Sequence, residues 1–170
     1  MSYIVRKANA SDVPRLKKLL DGYYQDNWRG SVEQLEKDFA EDIFEISVAE
    51  IDDKELVGFI VWTMTYDLNW CMKGGDTIDF YVSPAHRGRG AALLLTIETA
   101  AEIQKRDGKF LKGGAANPVV RRFYERIAMC HADGECYVSG RAFRHLTELS
   151  GKNVREAVRN LPEMAWNYEA

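Results

Sequence analysis

The stretch Val82-Ser83-Pro84-Ala85-His86-Arg87-Gly88-Arg89-Gly90-Ala91-Ala92 concentrates residue types suited to holding a phosphate. It lies between a strand-like run and a helix-like run. At such a junction backbone N–H groups lack partners, and the helix N-terminus carries a partial positive charge. Gly88, Gly90, Ala91 and Ala92 are small enough to let a phosphate oxygen approach that backbone within hydrogen-bonding distance. Arg87 and Arg89 add guanidinium donors, whose planar fork matches phosphate. A pyrophosphate-bearing cofactor is the ligand this combination suits; the competing reading is a glycine-rich turn with solvated arginines. Two other phosphate devices are excluded. The sequence has no Gly-x-x-x-x-Gly-Lys-Ser/Thr, and no Gly-x-Gly-x-x-Gly followed by an acid about twenty positions on.

Other reactive side chains are sparse. Cys71, Cys130 and Cys136 are odd in number and none forms a C-x-x-C pair, so three reduced thiols in a cytoplasmic protein are expected. His86, His131 and His145 form no H-x-x-x-H set, and no metal is expected.

The 170 residues are 46% hydrophobic and 29% charged, enough for one compact domain with a real core. With 23 Lys+Arg against 26 Asp+Glu, the net charge of -3 argues against a nucleic-acid partner. The longest aliphatic run, Ala91 to Leu95, is far short of the ~20 residues that span a bilayer, so no membrane association is expected. The first seven residues enter a strand pattern with no apolar leader.

The elements that must position the loop follow from periodicity. A strand over Tyr3 to Ala8 leads through Asn9-Ala10-Ser11-Asp12 into a helix to about Tyr24, with Val13, Leu16, Leu19, Leu20 and Tyr23 on one face. Ser31 to Gln34 resembles a capping box opening a second helix. Phe44 to Ile51 and Leu56 to Thr65 read as strands joined at Asp52-Asp53-Lys54-Glu55. Asp67 to Gly75 reads as irregular, broken at Gly74-Gly75, before a short strand Thr77 to Val82. A helix from Ala91 through Ile103 stops near Asp107-Gly108, with Gly as the left-handed cap. A strand over Lys109 to Ala115, a helix opened by Asn117-Pro118, one or two strands over Cys136 to Leu146, and a helix over Asn153 to Asn160 complete the pattern. The order is that of an α+β domain over residues 1–150, with residues 151–170 as a C-terminal helical extension.

The sequence resembles the GNAT N-acetyltransferases. Their motif Arg/Gln-x-x-Gly-x-Gly/Ala is met by Arg87, Gly90 and Ala92, with a Val-x-Pro lead-in at Val82-Ser83-Pro84. Downstream, Asn117 and the pair Phe123-Tyr124 match a second family feature. The resemblance covers roughly residues 3 to 147. It implies a mixed, mostly antiparallel sheet with helices on both faces and splayed fourth and fifth strands that hold acetyl-CoA. Phe80, Tyr81 and Val82 would then offer backbone groups to the pantetheine and thioester. Residues Arg87, Gly88, Arg89, Gly90, Ala91 and Ala92 would wrap the pyrophosphate. Asn117 would bond the pantetheine arm, and Tyr124 would protonate the departing thiolate.

An amine must be neutral to attack a thioester, yet an alkylammonium titrates near pH 10, so the site needs a base or a water relay. Many relatives carry a Glu on the fourth strand; here Ile78 stands in its place, between Asp76 and Asp79, and Asp79 is the candidate base. Family acceptors bind near the loop between the first two helices and the third-to-fourth-strand connection. Here those segments hold Tyr23, Tyr24, Trp28, Tyr66, Asp67, Trp70 and Asp76. Trp28 and Trp70 are candidate acceptor contacts, since aromatics beside carboxylates suit a cationic amine. The expected activity is acetyl transfer from acetyl-CoA to a primary amine of a small molecule, by direct attack in a ternary complex. A non-catalytic acyl-CoA-binding module on the same fold is the alternative. The extension, with Val154, Ala157, Val158, Leu161, Met164 and Trp166, would pack on a homodimer partner or on its own domain.

Overall fold

The computed structural model describes residues 2–52, 54–115, 117–131 and 133–161. Asp53, in the expected turn, and Met164 and Trp166 of the extension lie outside them. The chain opens with β1 (Ile4–Lys7), α1 (Val13–Tyr23) and α2 (Val32–Ala40). The strands β2 (Glu45–Glu50), β3 (Leu56–Asp67) and β4 (Met72–Val82) follow. Then come α3 (Ala91–Lys105), β5 (Phe110–Gly114), α4 (Pro118–Tyr124), β6 (Met129–Cys130) and β7 (Glu135–Ser139). Helices α5 (Gly140–Glu148) and α6 (Val154–Asn160) close the described chain.

The seven strands form one mixed sheet in the order β1-β2-β3-β4-β5-β7-β6. All neighbours are antiparallel except β4 and β5, which are parallel and paired only at Gly75–Leu111, Asp76–Lys112 and Thr77–Gly113. Beyond Thr77, β4 runs five residues further with no strand partner on that side among the described residues, which is the splay. A core of Leu95, Ile97, Ile103, Leu111, Phe143 and Leu146 fills one face beneath α3 and α5. Leu16, Leu19, Ile46, Val48, Phe59 and Tyr81 fill the other beneath α1 and α2. Each fully buried aliphatic side chain contributes about 1.5–3 kcal/mol, so both faces are fixed mainly by apolar burial.

The structure corrects four expectations. Gly74-Gly75 does not break the fourth strand but lies inside β4. A Cβ on Gly74 would stand 2.4 Å from the Phe110 ring, and one on Gly75 2.2 Å from Ile103 Cδ1, so the glycines admit side chains from either face. The left-handed residue after α3 is Asp107 (φ 65), not Gly108. Gly108 is required by close approach to the Ile103 carbonyl, to which its N–H donates at 2.9 Å. The expected strands over Cys136 to Leu146 end at Ser139, after which α5 buries Ala142, Phe143 and Leu146 at helical spacing. Cys130 and Cys136 are not both reduced thiols: they oppose each other across β6 and β7 and form a disulfide, leaving Cys71 free. The hairpin that joins β6 and β7, a sequence separation of 6, brings them together, which spacing alone did not reveal.

Helix α6 packs on its own chain, with Ala157 fully buried and Val154 and Leu161 packed against the larger core.

Candidate active site

The loop between β4 and α3 is the segment in which the sequence places a phosphate site. Gly88 (φ 70) and Gly90 (φ 93) occupy the left-handed region, which lets the chain turn sharply into the helix. Among the described residues no side chain caps the N-terminus of α3, which suits its first-turn N–H groups to a ligand, and no acidic residue stands in that turn to compete. Ala91 is buried in the core and anchors the turn, while Arg89 is exposed. Arg87 folds back: its Nε donates to the Val82 carbonyl at 2.9 Å, and its guanidinium lies 5.5 Å from the Tyr81 ring centroid. That leaves its terminal nitrogens for an anion.

Along the splay, main-chain groups alternate between the two strand edges, so half of those between Ile78 and Val82 face the gap. The side chains of Phe80, Tyr81 and Val82 are structural. Tyr81 packs under α1, where its hydroxyl fills the space over Gly22, and Val82 packs with the α3 core. Phe80 meets Phe123 and Tyr124 edge-on, at 6.1 and 6.4 Å between ring centroids.

Tyr124 is 4% exposed and sits where β4 and β5 part. A Cβ on Gly113 would lie 2.9 Å from Thr77 Cβ and 3.3 Å from the Tyr124 hydroxyl, and Thr77–Gly113 is the last pair of the two strands. Burial pushes the Tyr124 phenol up to about 12, while a hydrogen bond from the Thr77 hydroxyl pulls against it. Tyr124 therefore keeps its proton at neutral pH. Asn117 caps α4, its Oδ1 accepting from Val119 N–H at 2.8 Å; the cap leaves its amide NH₂ group for a ligand.

Asp79 lies on the opposite face of β4. The ladder slips between Val61 and Trp62, so that Asp79 opposes Val61, Thr77 opposes Trp62, and Ile78 bulges out, 55% exposed. The bulge turns Asp79 toward α1, where the Tyr24 hydroxyl donates to its Oδ2 at 3.1 Å. Burial, and then the hydrogen bond and charge of Asp79, push the Tyr23 phenol well above its usual range; burial and Asp79 also raise Tyr24. Asp79 and Tyr124 thus flank β4 from its two faces rather than touching.

The two candidate acceptor contacts fall apart in space. Trp28 packs on the α1–α2 cluster, its indole filling the space a Cβ on Gly30 would need. Trp70, 61% exposed, lines an open cavity with Asp67, Phe110, Lys112 and Tyr137. Sequence reading missed Thr77 and Gly113 as partners of Tyr124, and Lys112, Phe110 and Tyr137 as neighbours of Trp70. Only strand register joins these residues.

The elements present fit a coenzyme A molecule: an uncapped helix N-terminus, two left-handed glycines and a strand edge without a partner. Residues 13–129 match the acetyltransferase (GNAT) family model. Among solved structures, the ribosomal-protein-alanine N-acetyltransferase of Brucella melitensis biovar Abortus 2308 superposes with a TM-score of 0.66 at 25% identity, over 76% of this chain and 93% of that one. An integron cassette protein of Vibrio cholerae gives 0.63 at 21% identity, over 87% and 99%. The GNAT family N-acetyltransferase YhbS of Escherichia coli, in complex with CoA, gives 0.60 at 15% identity, over 82% of each chain. No curated protein sequence matches this chain closely. With the family model spanning more than half of the chain and the splay, loop and helix in place, the protein belongs to the GNAT acetyltransferase family, whose common chemistry is acetyl transfer from acetyl-CoA.

Proposed function

We propose that the protein transfers the acetyl group of acetyl-CoA to a primary amine of a small molecule, by direct attack while both are bound. The observation that carries this reading is the buried, protonated Tyr124 hydroxyl at the point where β4 and β5 separate. Acetyl-CoA supplies an acyl group activated as a thioester. The α3 N-terminus, with Arg87, Gly88, Arg89, Gly90, Ala91 and Ala92, holds the pyrophosphate, and the free edge of β4 together with Asn117 aligns the extended arm. This fixed alignment replaces a bimolecular search and is the main source of rate.

In the reaction a C–N bond forms as the C–S bond breaks. Main-chain N–H groups near Val82 meet the charge growing on the carbonyl oxygen. Tyr124 Oη gives its proton to the sulfur that leaves. A phenol this weakly acidic is a poor donor on driving force alone, so its placement supplies the effect. The amine's proton leaves on the other face of β4, toward Asp79 directly or through water. Tyr24 orients that carboxylate.

The test is release of free thiol from acetyl-CoA across a panel of primary amines. Turnover with at least one amine, lost in Tyr124→Phe while acetyl-CoA still binds, supports the reading. Tight cofactor binding with no turnover by any amine would leave the non-catalytic acyl-CoA-binding module, the alternative favoured by Ile78 standing where relatives carry a Glu.

A further inference from the structure

No step of the transfer uses α6, yet this helix meets the chain where the glycine loop becomes α3. Gly90 is the N-cap of α3: its carbonyl accepts from the Leu94 N–H at 3.1 Å, and its φ of 93 sets the direction of the first-turn N–H groups. Glycine takes positive and negative φ about equally readily, so Gly90 does not select this conformation by itself. Val154 supplies the selection. A Cβ on Gly90 would stand 3.1 Å from Val154 Cβ and closer still to both of its methyl groups. The isopropyl group therefore fills the side of Gly90 where a side chain would lie. The other left-handed glycine of the loop, Gly88, has no described atom within 4 Å of the same position.

A helix of seven residues does not hold its shape alone, and α6 is tied down along its length. Ala157 is fully buried, and Val154 and Leu161 pack against the larger core. Asn153 and Glu156 form a capping box at its start. Glu98, about two turns along α3 from Gly90, accepts from the Ser150 hydroxyl and the Gly151 N–H, both at 2.7 Å. At the far end His145 Nε2 donates to the Asn160 carbonyl at 2.8 Å. The segment leading into α6 is thus fastened to the same helix whose first turn Val154 covers.

We infer that α6 is a strap that holds the glycine loop in its binding shape, with Val154 as the positioning residue, and that coenzyme A binding and α6 docking stabilise each other. The inference rests on the acetyl-CoA reading for the identity of the ligand. Fixing Gly90 before the ligand arrives removes an ordering cost that binding would otherwise carry. The coupling is reciprocal, so a loop held by ligand also holds α6. Because Val154 acts through Gly90, it governs affinity and leaves the chemical step alone.

Two measurements test this. In the first, CoA is titrated calorimetrically into the full chain and its variants. Val154→Ala is expected to weaken CoA by about tenfold, whereas Val154→Thr, which keeps the branched shape, stays within threefold of wild type. Val158→Ala, on the exposed face of the same helix, is expected to leave affinity unchanged. In turnover, Val154→Ala should raise KM for acetyl-CoA by about tenfold with kcat and the amine KM within twofold, a split that general destabilisation would not produce. The second measurement needs no variant: amide hydrogen exchange across Val154–Asn160 in wild type should slow several-fold when CoA is added. Wild-type affinity in folded Val154→Ala, or α6 exchange that CoA does not change, overturns the strap. Failure of wild type to bind CoA at all overturns the cofactor reading instead.

Discussion

The two halves of β4 are built to opposite ends. From Gly75 to Thr77 the strand is paired on both sides, and Gly74 and Gly75 close it against Phe110 and Ile103. From Ile78 to Val82 it is bonded to β3 alone, interrupted by a bulge, and continued into a loop whose glycines are left-handed. Glycine therefore serves packing in the first half and backbone reversal in the loop beyond the second. A strand edge can bind a ligand only where the sheet stops using it, and Tyr124 stands at the boundary. The structural half and the functional half can be perturbed separately.

Tyr124→Phe should break the functional half alone. The expected loss in kcat is about 10²–10³-fold, the usual scale for removing a positioned proton donor. Acetyl-CoA affinity measured by calorimetry should change less than twofold. A comparable loss in affinity would show that the hydroxyl binds the cofactor rather than serving the leaving group.

The same residue gives a pH dependence of stability. In the unfolded chain the phenol titrates near 10, whereas in the fold it is held up to about 12, so the unfolded state loses its proton first as pH rises. The stabilisation is whole below pH 10 and disappears between about 10 and 12. The total is about 2–3 kcal/mol, at about 1.4 kcal/mol for each pH unit between the two values. Urea denaturation across this range should show wild type losing more stability than Tyr124→Phe; parallel losses would contradict the burial of the hydroxyl.

Gly74→Ala tests the structural half. Its methyl group would press into the Phe110 ring, and overpacking of this kind costs about 1–3 kcal/mol. The urea midpoint should fall while acetyl-CoA affinity of the folded protein holds. Gly90→Ala should do the reverse in emphasis. At φ 93 a side chain is strained by about 1–2 kcal/mol and would collide with Val154 of α6, so cofactor affinity should weaken by about tenfold. Equal effects of both glycine variants on affinity would erase the distinction between the halves.

The elements of the fold were largely legible because their apolar periodicity is local: α1 with Leu16, Leu19 and Leu20, and β3 with its run from Leu56, stand where the pattern put them. The misreadings arose where a distant residue supplied the reason. Gly74 looked like a breaker because Phe110 is 36 positions away in sequence (110 − 74) yet lies on it in space. The Cys130–Cys136 bridge depended on a hairpin too short to stand out as a strand pair.

What the sequence determined by itself is the glycine loop between β4 and α3, because Arg87 to Ala92 are contiguous and its turn depends on its own backbone, with Asn117 and Tyr124 set on a helix at fixed spacing. Tertiary structure alone decided which face Asp79 presents, which residues surround the Tyr124 hydroxyl, and that Asp67, Trp70, Phe110 and Tyr137 share one cavity. Strand register and a one-residue bulge set these relations. Because side chains alternate along a strand with a period of two, one extra residue moves every later side chain to the other face.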